Sequence, residues 1–298
     1  MKQNEVIWKR AFEQPEGAYS PHTLRGYKAD FSKFEGWCAK NAFSSLPTSP
    51  EIVAKYVNQL SQEFAASTVK HRIVAIRKVH RLVNLPDPTN FEIVDIAFRR
   101  ARRKKLARPK QALGLNEDLR DQLIEACDNT TVGIRNKALI SVGYDTLCRR
   151  SELVALRVED IERRKSGARI LVRRAKNDPF GTGRKAAISR RGLDLLDKWL
   201  SHAEIKNGPI FRPVYNGVIC SRFLNPYTVT RILKQAAECA GTETSIVQQI
   251  SSHSMRVGAA QDLILNGHNI LMVMAAGGWR SINIVGRYVE NVDLRIWD

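Results

Sequence analysis

Between Ser20 and Leu106 the apolar residues return every three or four positions, and that period commits the first part of the chain to helices packed face to face. Ser20-Pro21 opens one helix, with Leu24, Tyr27, Phe31, Phe34 and Trp37 on a single face. Ser49-Pro50 opens a second, carrying Val53, Tyr56, Val57 and Leu60. A third begins near Ser67 or Thr68, carries Val69, Ile73, Ile76, His80 and Val83, and ends before Pro86. A fourth runs from about Phe91 past Arg100. Each stripe is buried only against another, so four amphipathic helices with short connections predict a small bundle.

A tract with no acid then follows. Ala97 to Lys110 reads AFRRARRKKLARPK, with eight Lys or Arg residues. Such runs are usually solvated, but this one lies between two helical patterns with Pro109 beside it, and it reads as a basic linker over about residues 99–110 that lies on a phosphate backbone. The boundary falls there: a helical first domain over 1–106 and a second domain over 107–298. The second domain is helical around one strand-like stretch, Ala168 to Arg174, a turn-rich segment, Asn177 to Gly183, and a second strand, Lys185 to Ser189. That is a hairpin signal, to which Val158 to Ile161 adds a third short strand. Helices resume at about Gly192–Leu200, Pro226–Cys239, His253–Leu265, Ile270–Ala276 and Ile282–Asn291. The fold class is therefore mainly α with a small antiparallel β-sheet in the second domain.

With 298 residues there is enough chain for two cores. The net charge of +18 favours a polyanionic partner, nucleic acid before an anionic membrane surface. The longest apolar run, Ile270 to Gly278, falls well short of the ~20 residues of a membrane span, so no membrane partner is expected. Five cysteines without a CxxC pair suit free thiols in a reducing cytoplasm, which sets the expected location. No carboxylate cluster suited to a divalent ion is evident, so neither a metal nor any other cofactor is expected.

The chemistry concentrates near the C-terminal end. His253 and Arg256 are three apart at a helix start, so both side chains project from one face, and a helix N-terminus adds N–H groups directed at an anion. His-x-x-Arg alone recurs by chance in many proteins. Here it has company: LCRRSEL at Leu147 to Leu153, Lys176 in a strand-turn, and Trp279 nine residues before Tyr288.

Leu-x-Arg-x-x-Glu-Leu, a hairpin lysine, His-x-x-Arg, Gly-Gly-Trp and a tyrosine, in that order, resemble the tyrosine recombinase (phage integrase) family. HSMRVGAA, AAGGW, INIV and YDTLCRRSEL look closest to its Cre-like branch, and SPHTLRGY and WCAKN fit its core-binding domain. The resemblance implies a two-domain DNA clamp, a helical core-binding bundle followed by a catalytic domain. It implies that Arg149 and Arg256 hold the scissile phosphate, that Tyr288 is the nucleophile, and that His253 donates to the phosphate or helps take the tyrosine proton. Lys176 would protonate the departing 5′-oxygen, Trp279 would position its neighbours where many members have a second histidine, and Glu152 would orient Arg149 or a neighbour. Each has a plainer alternative: a register slip to Arg150, a lysine in a basic strand with Arg173, Arg174 and Lys185, a core tryptophan, a buried helix tyrosine. Arg150 also stands where an apolar neighbour is usual. Ten residues follow Tyr288, so the further helix that docks on the adjacent protomer in Cre-like enzymes is expected to be shortened or absent here.

The resemblance also makes Pro226–Cys239 the major-groove helix, with Tyr227, Thr230, Arg231 and Lys234 as candidate DNA contacts. Arg25, Ser67, Thr68, Lys70, His71 and Arg72 sit on helix starts of the first domain and join them, with Arg102 and Arg103 of the basic tract. The expected partner is double-stranded DNA carrying an inverted repeat, bound by two protomers that pair into a tetramer. A type IB topoisomerase and a non-enzymatic DNA-binding regulator are the alternatives. The regulator explains the charge but not the full catalytic set.

Overall fold

In a computed structural model describing residues 2–104, 111–173 and 182–290, the chain divides into two units, Met1–Pro109 and Lys110–Asp298. The first unit opens with α1 (Lys2–Ala11), which the apolar period did not reveal. Its Trp8 is buried edge-on to Phe31, ring centroids 5.0 Å apart, and donates from Nε1 to Glu35 at 3.0 Å. Among the described side chains of this segment Trp8, Ala11 and Phe12 are buried, too few to announce a helical period.

Helix α2 (Pro21–Lys40) starts as the sequence predicts: the Ser20 hydroxyl accepts from the Thr23 amide at 3.1 Å, and Pro21 tolerates a position that needs no intrahelical donor. α3 (Pro50–Glu63), α4 (Ala66–Leu82) and α5 (Glu92–Lys104) complete the bundle. Phe31, Phe34, Tyr56, Ile76 and Val79 are buried in its core, and each such side chain contributes about 1.5–3 kcal/mol through removal from water. Arg99 to Lys104, expected in the linker, form the last turns of α5, where cations meet the negative end of the helix dipole. The rest of the expected linker, residues 105–110, lies outside the described residues.

The second unit is built around α7 (Thr131–Asp145), preceded by α6 (Glu117–Ala126). Ala138, Leu139, Ile140 and Val142 are buried on successive sides of α7, the mark of a central helix. A turn leads to the short α8 (Arg150–Val154) and a 3₁₀ turn, Val158–Asp160. The antiparallel sheet has the order β1 (Ile161–Arg164), β2 (Gly167–Val172), β3 (Arg184–Ile188). The third strand thus exists, but Val158 to Asp160, expected in it, form the 3₁₀ turn that feeds it. Ala168 faces Ile188 and Val172 faces Arg184, so β2 and β3 pair antiparallel. Residues 174–181, Lys176 among them, lie outside the described residues.

Beyond the sheet come α9 (Arg190–His202), a second antiparallel pair, β4 (Val214–Tyr215) with β5 (Val218–Ile219), and α10 (Thr228–Cys239). The two-residue pair makes two small sheets where one was expected; strands this short carry no alternation to read. α11 (Thr244–Gln249) was likewise unannounced. α12 (Ser254–Leu265), α13 (Ile270–Gly277) and α14 (Ile282–Val289) then pack around a satellite core of Tyr144, Leu147, Ala259, Ala260, Val273, Trp279 and Val285. Gly258 makes this assembly possible, because a Cβ there would lie 1.9 Å from the Leu115 carbonyl oxygen. With only hydrogen at that position, Leu115 runs against α12 and its amide donates to the Ser254 carbonyl at 2.9 Å.

Candidate active site

Three segments meet over the satellite core: the turn between α7 and α8, the start of α12, and the run from the end of α13 through α14. In the first, Leu147 takes a left-handed backbone with φ of 49°, a conformation costly for a side chain with a Cβ. Its carbonyl accepts a hydrogen bond from Nη1 of Arg256. Arg149 follows at the N-cap of α8. Glu152 is buried and accepts from Arg149 twice, from the amide at 3.0 Å and from Nη1 at 2.6 Å. The carboxylate fixes the direction of this half-buried guanidinium and, among the described residues, leaves its other N–H groups unspent.

His253 is the N-cap residue of α12, and Arg256 lies one turn along, 1% exposed. The Arg256 guanidinium rests 4.0 Å from the Trp279 ring centroid. Its Nε and Nη2 are buried and have no hydrogen-bond partner among the described residues. Unpaired buried donors cost about 1–3 kcal/mol each, more when charged, and such groups mark an acceptor that arrives from outside. Burial first, then the Arg149 cation, push the Arg256 pKa down to about 10, as expected of a cation that lacks its counter-charge.

The Gly-Gly-Trp motif is a backbone device. Gly278 leaves α13 in the left-handed region with φ of 64°, and the Trp279 amide returns to the Met274 carbonyl at 2.9 Å. A Cβ on Gly277 would sit 2.0 Å from Cζ3 of Trp279, so the ring folds back over the helix end only because that position is bare. Trp279 is thereby pressed against Arg256 on one side and lies edge-on to Tyr288, centroids 5.5 Å apart.

Tyr288 stands on the last turn of α14, half-buried, with its hydroxyl 2.7 Å from Nε2 of His253. Burial first, then the Arg256 and Arg149 cations, pull the His253 pKa down to about 4. A neutral imidazole at neutral pH has one ring nitrogen free to accept the phenol proton. The Tyr288 carbonyl accepts from Nε2 of Gln261 at 2.8 Å and Nε2 of Gln111 at 3.3 Å. Both amides escaped the sequence reading, since a lone glutamine carries no pattern.

A model of the phage integrase family matches residues 114–295, and a model of the phage integrase N-terminal SAM-like domain matches residues 14–83. This chain belongs to the phage integrase, or tyrosine recombinase, family. A XerD-homologue integrase/recombinase of Selenomonas ruminantium is 30% identical, over 97% of this chain and 87% of that protein. The Cre recombinase of Escherichia phage P1 is 29% identical, over 93% and 86%. Among solved structures, the XerH recombinase in a post-cleavage complex with a palindromic difH substrate shares the fold at a TM-score of 0.66 and 19% identity, covering 90% of this chain and 76% of that one. A lambda integrase dimer bound to a core site does so at 0.63 and 15%, covering 99% and 79%.

In this recombinase the structure brings together Arg149, Glu152, His253, Arg256, Trp279 and Tyr288; Lys176 lies outside the described residues. A half-buried arginine, with Lys185 the fallback to Lys176 on the far side of the hairpin, joins them. Arg184, at the start of β3, donates to the Ala276 carbonyl at 2.6 Å and the Thr146 carbonyl at 2.8 Å, and lies 3.7 Å from Glu152. It thus ties hairpin, α8 turn and α13 into one frame. Lys185 and Arg173 face elsewhere, in ion pairs with Glu162 at 3.6 Å and Asp160 at 2.8 Å.

Of the DNA candidates, Arg25, Ser67, Lys70, His71, Arg102, Arg103, Tyr227 and Arg231 are exposed and Thr68 half-exposed. Arg72 is a correction. It is buried, 4.2 Å from the Phe64 ring centroid and 3.4 Å from the Tyr56 hydroxyl, so it supports the bundle core rather than facing a groove. Thr230 and Lys234 are half-buried and tie α10 to the next segment, accepting from the Ser252 amide and donating to the Gln248 carbonyl, both at 3.2 Å.

Proposed function

We propose that this protein is a site-specific recombinase that breaks and rejoins DNA through a 3′-phosphotyrosine at Tyr288. One observation carries the reading: a phenol hydroxyl 2.7 Å from a neutral imidazole, beside a buried guanidinium with two unpartnered nitrogens. The phenol gives its proton to Nε2 of His253 as its oxygen attacks the scissile phosphorus. Arg149 and Arg256 donate to the non-bridging oxygens, whose charge grows in the transition state. The bond from phosphorus to the 5′-oxygen breaks, and that oxygen leaves as a hydroxyl with a proton from Lys176, the role the family resemblance implies. Trp279 positions Arg256 and Tyr288, and Glu152 aims Arg149. The phosphotyrosine keeps the energy of the broken bond, so a 5′-hydroxyl from a second duplex reseals the strand without ATP. Two such exchanges pass through a Holliday junction.

The partner in this reading is duplex DNA with an inverted repeat, bound by two protomers and synapsed by four, in the cytoplasm. The palindromic substrate of XerH and the dimeric lambda integrase complex support the symmetry. The test is covalent-adduct formation on DNA selected by the protein from random sequence, in EDTA and without ATP. Wild type should form the adduct; Tyr288→Phe should bind the same DNA and form none, because only the hydroxyl is lost. An adduct with Tyr288→Phe would overturn the assignment.

A further inference from the structure

We propose that Arg150, stacked on Tyr227, reads a base pair beside the phosphate this recombinase cleaves. The Arg150 guanidinium lies 4.4 Å from the Tyr227 ring centroid. Tyr227 is 63% exposed and occupies the N-cap of α10. Several surface arginines of this unit sit against carboxylates, Arg157 on Glu159, Arg164 on Glu162 and Arg173 on Asp160. Among the described residues Arg150 has neither a carboxylate nor a hydrogen-bond partner, and its one contact of this kind is the aromatic face. Stacking uses the face of a guanidinium and leaves its edge, with five N–H donors, uncommitted.

Position narrows what that edge can meet. Arg150 follows Arg149 directly, with Cα atoms about 3.8 Å apart, so whatever it touches lies within a side chain's reach of the cleaved phosphate. Arg149 and Arg256 already supply that phosphate with donors. A contact that adds only charge tolerates a mobile side chain, whereas a bidentate contact to guanine O6 and N7 requires the plane of the fork to be set in advance. The tyrosine platform sets it.

The proposal rests on the reading of Tyr288 as nucleophile on DNA, and the experiment separates the two. Site preference is measured by binding selection on duplexes randomised around the wild-type site, with all proteins in a Tyr288→Phe background. Arg150→Ala and Tyr227→Ala should lose discrimination at one and the same base pair, on the order of 10-fold, while Tyr227→Phe, which keeps the ring, should retain it. A uniform loss of affinity for all sequences, with the salt slope reduced by about one, would make Arg150 a phosphate contact and overturn the proposal. Unchanged preference in both alanine variants would overturn it too. The adduct assay with wild-type protein reports separately on Tyr288: adduct with unchanged preference sinks only the Arg150 reading, and no adduct sinks the nucleophile.

Discussion

A histidine that accepts a phenol proton must arrive without one, and His253 is kept neutral by burial and by two arginine cations. Its ordinary pKa of 6.5 falls to about 4 in the folded protein. Between those values the unfolded chain binds more protons than the native one, so stability should decline as pH falls from 6.5 toward 4 and be unaffected by this group above that window. NMR titration of the imidazole in the DNA-free protein should give a midpoint near 4; one near 6.5 would show a solvated ring and remove the argument for a neutral base. At this scale the sequence was informative for Arg149, Glu152, His253, Arg256, Trp279 and Tyr288, because each belongs to a spaced motif. It was silent on Gln111 and Gln261, whose partner is a backbone carbonyl distant in sequence, and it offered Arg184 only as a fallback to Lys176. It misled on Arg72, since a basic residue at a helix start does not say whether a phenylalanine waits beneath it.

Helices α12, α13 and α14 hold the site by close approach, and two glycines of this region carry opposite consequences. Ala at Gly277 places a methyl 2.0 Å from Trp279, while nothing lies within 4 Å of a Cβ at Gly286 inside α14. Gly277→Ala should therefore lower stability by about 1–3 kcal/mol through overpacking and displace the ring that supports Arg256. Gly286→Ala should raise stability by roughly 0.5–1 kcal/mol through helix propensity. Thermal unfolding of both variants checks the pair; an equal or reversed shift would mean that Trp279 is not pinned by the bare position. Elements with a long apolar period, α2 to α5, were legible from their spacing. α1, α11 and the β4–β5 pair were not, because short segments fix too few positions to display a period.

Across the whole molecule the charge surplus of +18 is carried by both units, with Arg25, Lys70, Arg102 and Arg103 exposed in the first and Arg222 and Arg231 in the second. Cations at a DNA backbone displace condensed counterions, so binding weakens with salt at a slope of about −0.9 per phosphate contacted. Contacts from both units on one half-site imply on the order of 6–10 phosphates, and affinity should then fall by roughly 10³–10⁵ between 50 and 200 mM salt. Fluorescence anisotropy on the selected site measures it. A fall of less than tenfold would mean that one unit alone holds the DNA and would remove the clamp from the proposed function. Sedimentation of the same complexes counts protomers: two on an inverted repeat and four when two duplexes are joined. Because an isologous pair places the same surface on both sides of a two-fold axis, the repeat in the DNA and the symmetry of the protein must agree. A complex that stops at one protomer at every concentration would leave cleavage at Tyr288 possible but strand exchange between duplexes without a vehicle.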